Sequence, residues 1–383
     1  MPEKSECRFC GGAFFQPALL QYHASPPCAQ GFLDSLDQKD EVVDLEIYQC
    51  EKCGLVQHTI QAVEYHRNVI RAIAFSKEMG LFRIDQLSKW IHRFDLADKN
   101  ILEIGCGKGE YLDLLVQSGA QSVFGLENSD ESVLHASHRG LKVQQGYLSR
   151  NFTNPWTFKF DAFAIFSFLE HWPNLKESLG NLHSLIKEGG TGLIEVPNFD
   201  FIIEKGLYSE FTTDHIFYFD KRSLVNVLEL SGFEVLELES IWHGYILSAQ
   251  VKKRIRIEIN NFKSKQDLIV SQLHQFTARF QPSDVVVWGA GHQALAVMAL
   301  AQLKGKISHV VDSAPFKQNK YTPGLHLLIK PPDSLLEDDP LAVVIMAAAY
   351  SDEVAAILLQ KYICIKYVAV LREDRLEILR DGI

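Results

Sequence analysis

From residue 100 onward, short apolar runs alternate with amphipathic stretches. The runs are ILEIG, SVFGLE, LKVQQG, DAFAIFS, TGLIEVP and FEVLELE. Strand-length runs separated by helix-period segments predict an α/β sheet. Upstream, residues 70–97 carry Ile70, Ile73, Ala74, Phe82, Leu87, Trp90 and Ile91 as an uneven apolar stripe, which predicts one long helix. Residues 252–281 are polar, helical in pattern and free of Pro and Gly, and are read as a connecting helix. The alternation then restarts with VVVWGAG, ISHVVD, LHLLIK, LAVVIMA and YVAVL, a second and smaller α/β unit. Residues 1–69 differ again, with turn residues, short apolar runs and clustered cysteines. The expected division is 1–69, 70–251 and 252–383.

Composition narrows the class. The 383 residues are 47% hydrophobic and 22% charged, as in ordinary globular chains, which excludes disordered and collagen-like proteins. Acidic residues outnumber basic ones, 48 to 38, for a net charge of −10. With no basic block, this argues against nucleic-acid binding. No run of 18 apolar residues is long enough to span a membrane. The opening MPEKSECRFCGG has no apolar run behind its charges, unlike a secretory signal. The expectation is a cytoplasmic protein; its oligomeric state is open, a monomer being compatible.

Seven cysteines, an odd number in such a chain, argue against a disulfide framework. Four of them form two C-x2-C pairs, Cys7 with Cys10 and Cys50 with Cys53. Two knuckles of two thiolates each can close a tetrahedron around structural Zn²⁺. Gly11 and Gly54 follow the pairs and relax the turns. His23, Cys28 and His58 are competing donors outside any knuckle.

A candidate cofactor loop is Ile101-Leu-Glu-Ile-Gly-Cys-Gly-Lys-Gly109, ending a strand and opening a helix. Glu103 lies in the strand, and Gly105, Gly107 and Gly109 let the backbone approach a ligand closely. Glu127, ending the next strand, can accept both hydroxyls of a ribose. Cys106 reads as a small filler. This stretch, with Glu127 and the later FDAFAIFSFLEHWPNL, resembles the motifs of class I S-adenosylmethionine (SAM) methyltransferases. The resemblance implies that the glycine turn faces the methionyl part of SAM and Glu127 the ribose. Tyr147 and Leu148 would then lie near the adenine, with Phe166 and Ser167 beneath the sulfonium. A nicotinamide cofactor is the competing reading of the same turn.

Two histidines follow acids in this region. His171 follows Glu170 at a strand end, and His215 lies in a polar cluster of Thr212, Thr213 and Asp214 among aromatics, suggesting a pocket wall. The three-part order of cysteine pairs, SAM domain and C-terminal α/β domain resembles sugar C-methyltransferases, which act on nucleotide-linked 4-keto-deoxysugars. VVDSAPFKQNKYTPG also looks like that family's V-D-x-x-P-x-K-Q-x-x-Y-x-P-G segment. The implied fold is α/β: a class I, Rossmann-like methyltransferase domain, a small N-terminal zinc module and a second Rossmann-like domain forming one wall of the acceptor cleft. The resemblance makes His215 the general base and His171 its partner near the sugar, with Asp214 or His171 orienting it. Where the family's loop reads Y-x-E-H, this chain has Thr212, Thr213, Asp214 and His215.

Gly289-Ala-Gly-His-Gln-Ala294 can hold a nucleotide-sugar phosphate or, with Asp312, a dinucleotide. Lys317, Lys320 and Tyr321 are phosphate contacts or a solvated loop. Three functions stay open: C-methylation of a nucleotide-linked keto sugar, O- or N-methylation of another small acceptor, and a non-catalytic zinc adaptor.

Overall fold

The computed structural model describes residues 6–27, 35, 37, 42–61 and 76–382. They form two compact units, divided between Ile255 and Arg256. In chain order the first holds β1 (Leu20–Ser25), β2 (Val43–Gln49), β3 (Val56–His58), β4 (Asn100–Ile104), β5 (Ser122–Glu127), β6 (Val143–Gln145), β7 (Phe160–Phe166), β8 (Ile186–Pro197), β9 (Phe217–Tyr218), β10 (Phe233–Ile241) and β11 (Ile246–Lys253). The second holds β12 (Val285–Trp288), β13 (His309–Val311), β14 (Ile329–Lys330), β15 (Ala342–Ile345), β16 (Tyr367–Leu371) and β17 (Leu376–Asp381).

Seven strands make the main sheet, in the order β10-β11-β8-β7-β4-β5-β6. The strands from β6 across to β8 run parallel, and β11 and β10 close that edge antiparallel. The chain steps from β4 outward to β5 and β6, then returns to β7 on the other side. That reversal opens a crevice at the carboxyl ends of β4 and β7, where ligands of such sheets bind. The expected Rossmann-like α/β fold is present. On β7, Phe163 and Ile165 pack into one apolar layer with Leu179 and Leu182. Ala162, Ala164 and Phe166 pack into the other, with Trp90, Leu112 and Leu115. Burial on both faces is why this strand reads as one unbroken apolar run.

The long helix expected over 70–97 spans Lys77–Arg93, with Ser76 capping it by accepting the Met79 N–H; residues 70–75 lie outside the described residues. Its buried face includes a charge that the stripe did not predict. Arg83 is 1% exposed and pairs with Glu195 at 2.5 Å. Gln86 and Ser248 also donate to Glu195. Removing the cation strands a buried carboxylate, so Arg83→Met is expected to lose about 3–5 kcal/mol in a urea unfolding titration. Unchanged stability would show that the pair contributes nothing.

The helix expected over 252–281 is shorter, Asn260–Thr277. Lys252 and Lys253 instead end β11, where the buried Lys253 ammonium donates to the carbonyls of His183 and Ile186 at 3.0 and 2.9 Å. Strands β1, β2, β3 and β9 form a separate antiparallel sheet in that order. Phe9, Phe14 and Leu55 share an apolar cluster with Leu169, Trp172, Ile216 and Phe217. The N-terminal module therefore packs within the first unit and shares its core.

The second unit is a six-stranded sheet of order β14-β13-β12-β15-β16-β17, parallel except for β17. Its own order reverses between β12 and β15. No helix among the described residues is long and apolar enough to cross a membrane.

Candidate active site and metal centre

After β4 the chain turns through Gly105 and Gly107, and Gly109 caps the helix Glu110–Gln117. Their φ angles are 72°, 54° and 92°, the left-handed region where a side chain is strained. A β-carbon on Gly105 would come within 2.3 Å of the Phe168 ring. Cys106 is fully buried against Gly125, and Glu103 is fully buried in β4. The Glu127 carboxylate accepts the Gly107 N–H at 2.9 Å through Oε2 and the Ser129 N–H at 2.8 Å through Oε1. Each oxygen keeps capacity for a ligand hydroxyl, and Glu127 is only half-buried. Its carbonyl accepts the Gly146 N–H at 2.9 Å, which brings the next segment alongside. There Leu148 is buried, and burial pushes the Tyr147 phenol up to about 12.

A turn of three glycines, a reachable carboxylate and an apolar flank fit SAM. Glu127→Ala is expected to remove about 1.5–3 kcal/mol of charge-assisted hydrogen bonding, a roughly 10–150-fold rise in SAM Kd by calorimetry. Unchanged affinity would place the pocket elsewhere.

At the end of β7, Phe166 is buried and stacks on Tyr111, ring centroids 4.3 Å apart. Its ring thus lies within an apolar layer. Ser167 follows, exposed, with φ 45°, its N–H donating to the Glu195 carbonyl at 2.9 Å. A non-glycine residue held there stores strain, as residues beside ligands often do. Phe168, which the sequence reading did not single out, is the ring over Gly105. Its only signal was an aromatic position directly after Ser167.

His171 lies in the short turn Leu169–His171, its ring centroid 6.2 Å from that of Phe168 and 4.9 Å from that of His215. His171 Nδ1 meets the Asp214 carbonyl at 2.8 Å, so Nδ1 carries the proton and donates. Donor atoms of Glu170, His171 and His215 lie within 4.8 Å of one another. Burial pushes the His215 pKa down to about 4. Sequence placed Thr213 and Asp214 on a pocket wall; both are buried, 1% and 5% exposed. The Thr213 hydroxyl donates to the Pro26 carbonyl at 3.4 Å. The Tyr218 phenol donates to the Thr212 carbonyl at 3.3 Å.

Cys7, Cys10, Cys50 and Cys53 converge, their sulfurs within 4.8 Å of one another. Gly11 and Gly54 turn the knuckles at φ 67° and 78°. Gln57 donates to Cys7 Sγ at 3.1 Å, as a donor does to a metal-bound thiolate. This set of soft donors fits structural Zn²⁺ with no open position. Of the competing donors, His58 points to the Thr213 carbonyl instead, His23 faces Asp44, and Cys28 lies outside the described residues.

In the second unit, Asp312 holds the glycine turn shut. Its Oδ2 accepts the Ala290 N–H and the Lys317 ammonium, at 2.8 and 2.9 Å, and its Oδ1 accepts the Ala314 N–H at 2.9 Å. A ribose would find less acceptor capacity there than at Glu127. Lys320 and Tyr321 are exposed.

A family model described as a methyltransferase domain matches residues 79–238, and one described as a C-methyltransferase C-terminal domain matches residues 256–363. C-methyltransferase NovU of Streptomyces niveus is 21% identical, the match covering 91% of each chain. A ubiquinone biosynthesis O-methyltransferase of Pseudomonas aeruginosa is 30% identical over 28% of this chain, which spans about half (49%) of that relative's length. Among solved structures, magnesium protoporphyrin IX methyltransferase from Synechocystis with bound SAH is 15% identical, with a TM-score of 0.38 over 49% of this chain and 90% of that one. The chain belongs to the SAM-dependent methyltransferases and joins a class I methyltransferase domain to a C-methyltransferase C-terminal domain.

Proposed function

We propose that the chain transfers a methyl group from SAM to the carbon beside the ketone of a nucleotide-linked keto-deoxysugar, with His215 as general base. The observation that carries this reading is the imidazole pair at the crevice. His171 and His215 stand 4.9 Å apart, and the Phe168 ring that lies over Gly105 is next to His171. Likeness to a C-methyltransferase along nearly all of both chains supports carbon as the accepting atom.

A ketone acidifies the neighbouring C–H. His215, half-buried and kept neutral by desolvation, takes that proton, and the C–H electron pair passes into the enolate. SAM would supply the electrophilic methyl group that the enolate carbon accepts, the methyl C–S bond breaking with its electron pair left on sulfur, in S-adenosylhomocysteine. Imidazolium and enolate form together and stabilise each other where water is scarce. With its Nδ1–H given to the Asp214 carbonyl, His171 turns its Nε2 toward the Glu170 carboxylate, 3.9 Å away, which fixes the ring beside His215. Structural Zn²⁺ on the four thiolates, a cytoplasmic setting and a small-molecule acceptor complete the reading, without nucleic-acid or membrane partners.

A second reading rests on the altered loop. Where the family pattern has Tyr and Glu, Thr212 and Asp214 stand, and Asp214 is buried. A hydroxyl or amine acceptor would need less help than a carbon acid. Incubation with candidate nucleotide-linked keto sugars in deuterated water separates the two. Deuterium is expected at one sugar carbon without SAM, and a methyl group at that carbon with it, by mass spectrometry and NMR. A methyl on oxygen or nitrogen would overturn C-methylation.

A further inference from the structure

We propose that His58 is a positioning residue for the His215 loop, acting from the metal-bearing module. This inference rests on the reading of His215 as the base. His58 is fully buried at the end of β3, far along the chain from the loop it touches. Its Nε2 meets the Thr213 carbonyl at 3.0 Å, and its backbone N–H donates to the Ile216 carbonyl at 3.2 Å. Since Thr213 offers a carbonyl, His58 must carry its proton on Nε2 and donate it. Its Nδ1 has no hydrogen-bond partner among the described residues.

The loop is gripped from the opposite side as well. His171 Nδ1 donates to the Asp214 carbonyl, and the Ile216 N–H donates to the Glu170 carbonyl at 2.9 Å. Carbonyls 213, 214 and 216 are therefore all held, and His215 stands among fixed neighbours. Only half of this clamp belongs to the crevice. The other half belongs to a strand tied to the first knuckle: the Gln57 side chain donates to Cys7 Sγ and accepts the Arg8 N–H at 2.9 Å. The Arg8 guanidinium reaches the carbonyls of His58 and Ile60. Because a misplacement of about 1 Å can cost about 10²-fold in rate, a donor that fixes the backbone two residues before the base acts on turnover without touching substrate.

The test compares full-length, zinc-loaded His58→Met, which keeps bulk and loses the donor, with His58→Gln, which keeps a donor. Zinc content, SAM affinity and amide exchange of residues 212–219 are measured beside kcat and KM. His58→Met is expected to keep its zinc and its SAM Kd, to lose about 10–10²-fold in kcat with KM for SAM unchanged, and to exchange faster over 212–219. His58→Gln is expected to restore protection and most of the turnover. Parent-like exchange and turnover in His58→Met would overturn the proposal. So would loss of zinc or SAM binding along with turnover, which would make His58 a general structural residue. Failure of the base reading is distinguishable: His215→Ala would then stay active while His58→Met still loosened the loop.

Discussion

His215→Ala is expected to lose about 10²–10⁴-fold in turnover on the true acceptor while binding SAM as the parent does. The ring is the proposed proton acceptor, and alanine leaves nothing in its place. Only the neutral imidazole accepts a proton, so the parent's pH profile carries a second signature. A solvated histidine would give an acid limb near 6.5 in kcat/KM. Burial favours the neutral form and holds His215 at about 4. Activity is therefore expected to persist as pH falls through 6.5 and to fail only toward 4, provided the fold survives. A limb at 6.5 that disappears in His215→Ala would mean that the ring is open to water. Full turnover in His215→Ala would end the base assignment.

Removal of the proposed zinc is the second large effect. Four thiolates bind structural Zn²⁺ with an apparent free energy of about 10–16 kcal/mol, most of it coupled to folding. Freshly purified protein is expected to carry about one Zn²⁺ per chain by atomic absorption. Cys50→Ser is expected to lose that metal and to melt at lower temperature. Because β3 pairs with β9 beside His215, methyl transfer should fall far more than SAM affinity. The glycine turn follows a strand of a different sheet. Zinc-free protein straight from purification would remove the metal assignment, and equal losses of SAM binding and turnover would remove the coupling.

Much of the fold was legible because parallel strands buried on both faces read as apolar runs, and those ending at Ile104, Glu127 and Phe166 were found in this way. The glycine turn was legible because positive φ selects glycine. Strand β9 was not, because two residues carry no period and its partner β3 lies far upstream. The role of His58 was hidden for the same reason: its neighbour Thr213 is distant in sequence, so it read only as a spare metal donor. Arg83 was missed because a charge on a helix with an uneven stripe looks solvated until Glu195 is placed beneath it. Thr213 and Asp214 looked like pocket polar groups, yet the backbone of their loop carries the contacts that hold it in place.

The pairing of β3 with β9 also orders events during synthesis. Val56 must wait for Tyr218, about 160 residues later, or on the order of 10–30 s of translation at typical rates. For that interval the nascent segment has all four cysteines but lacks the strand that completes its sheet. Capture of the proposed zinc can precede sheet closure, and without it the four thiols would stand exposed to oxidation on the ribosome before the rest of the enzyme exists.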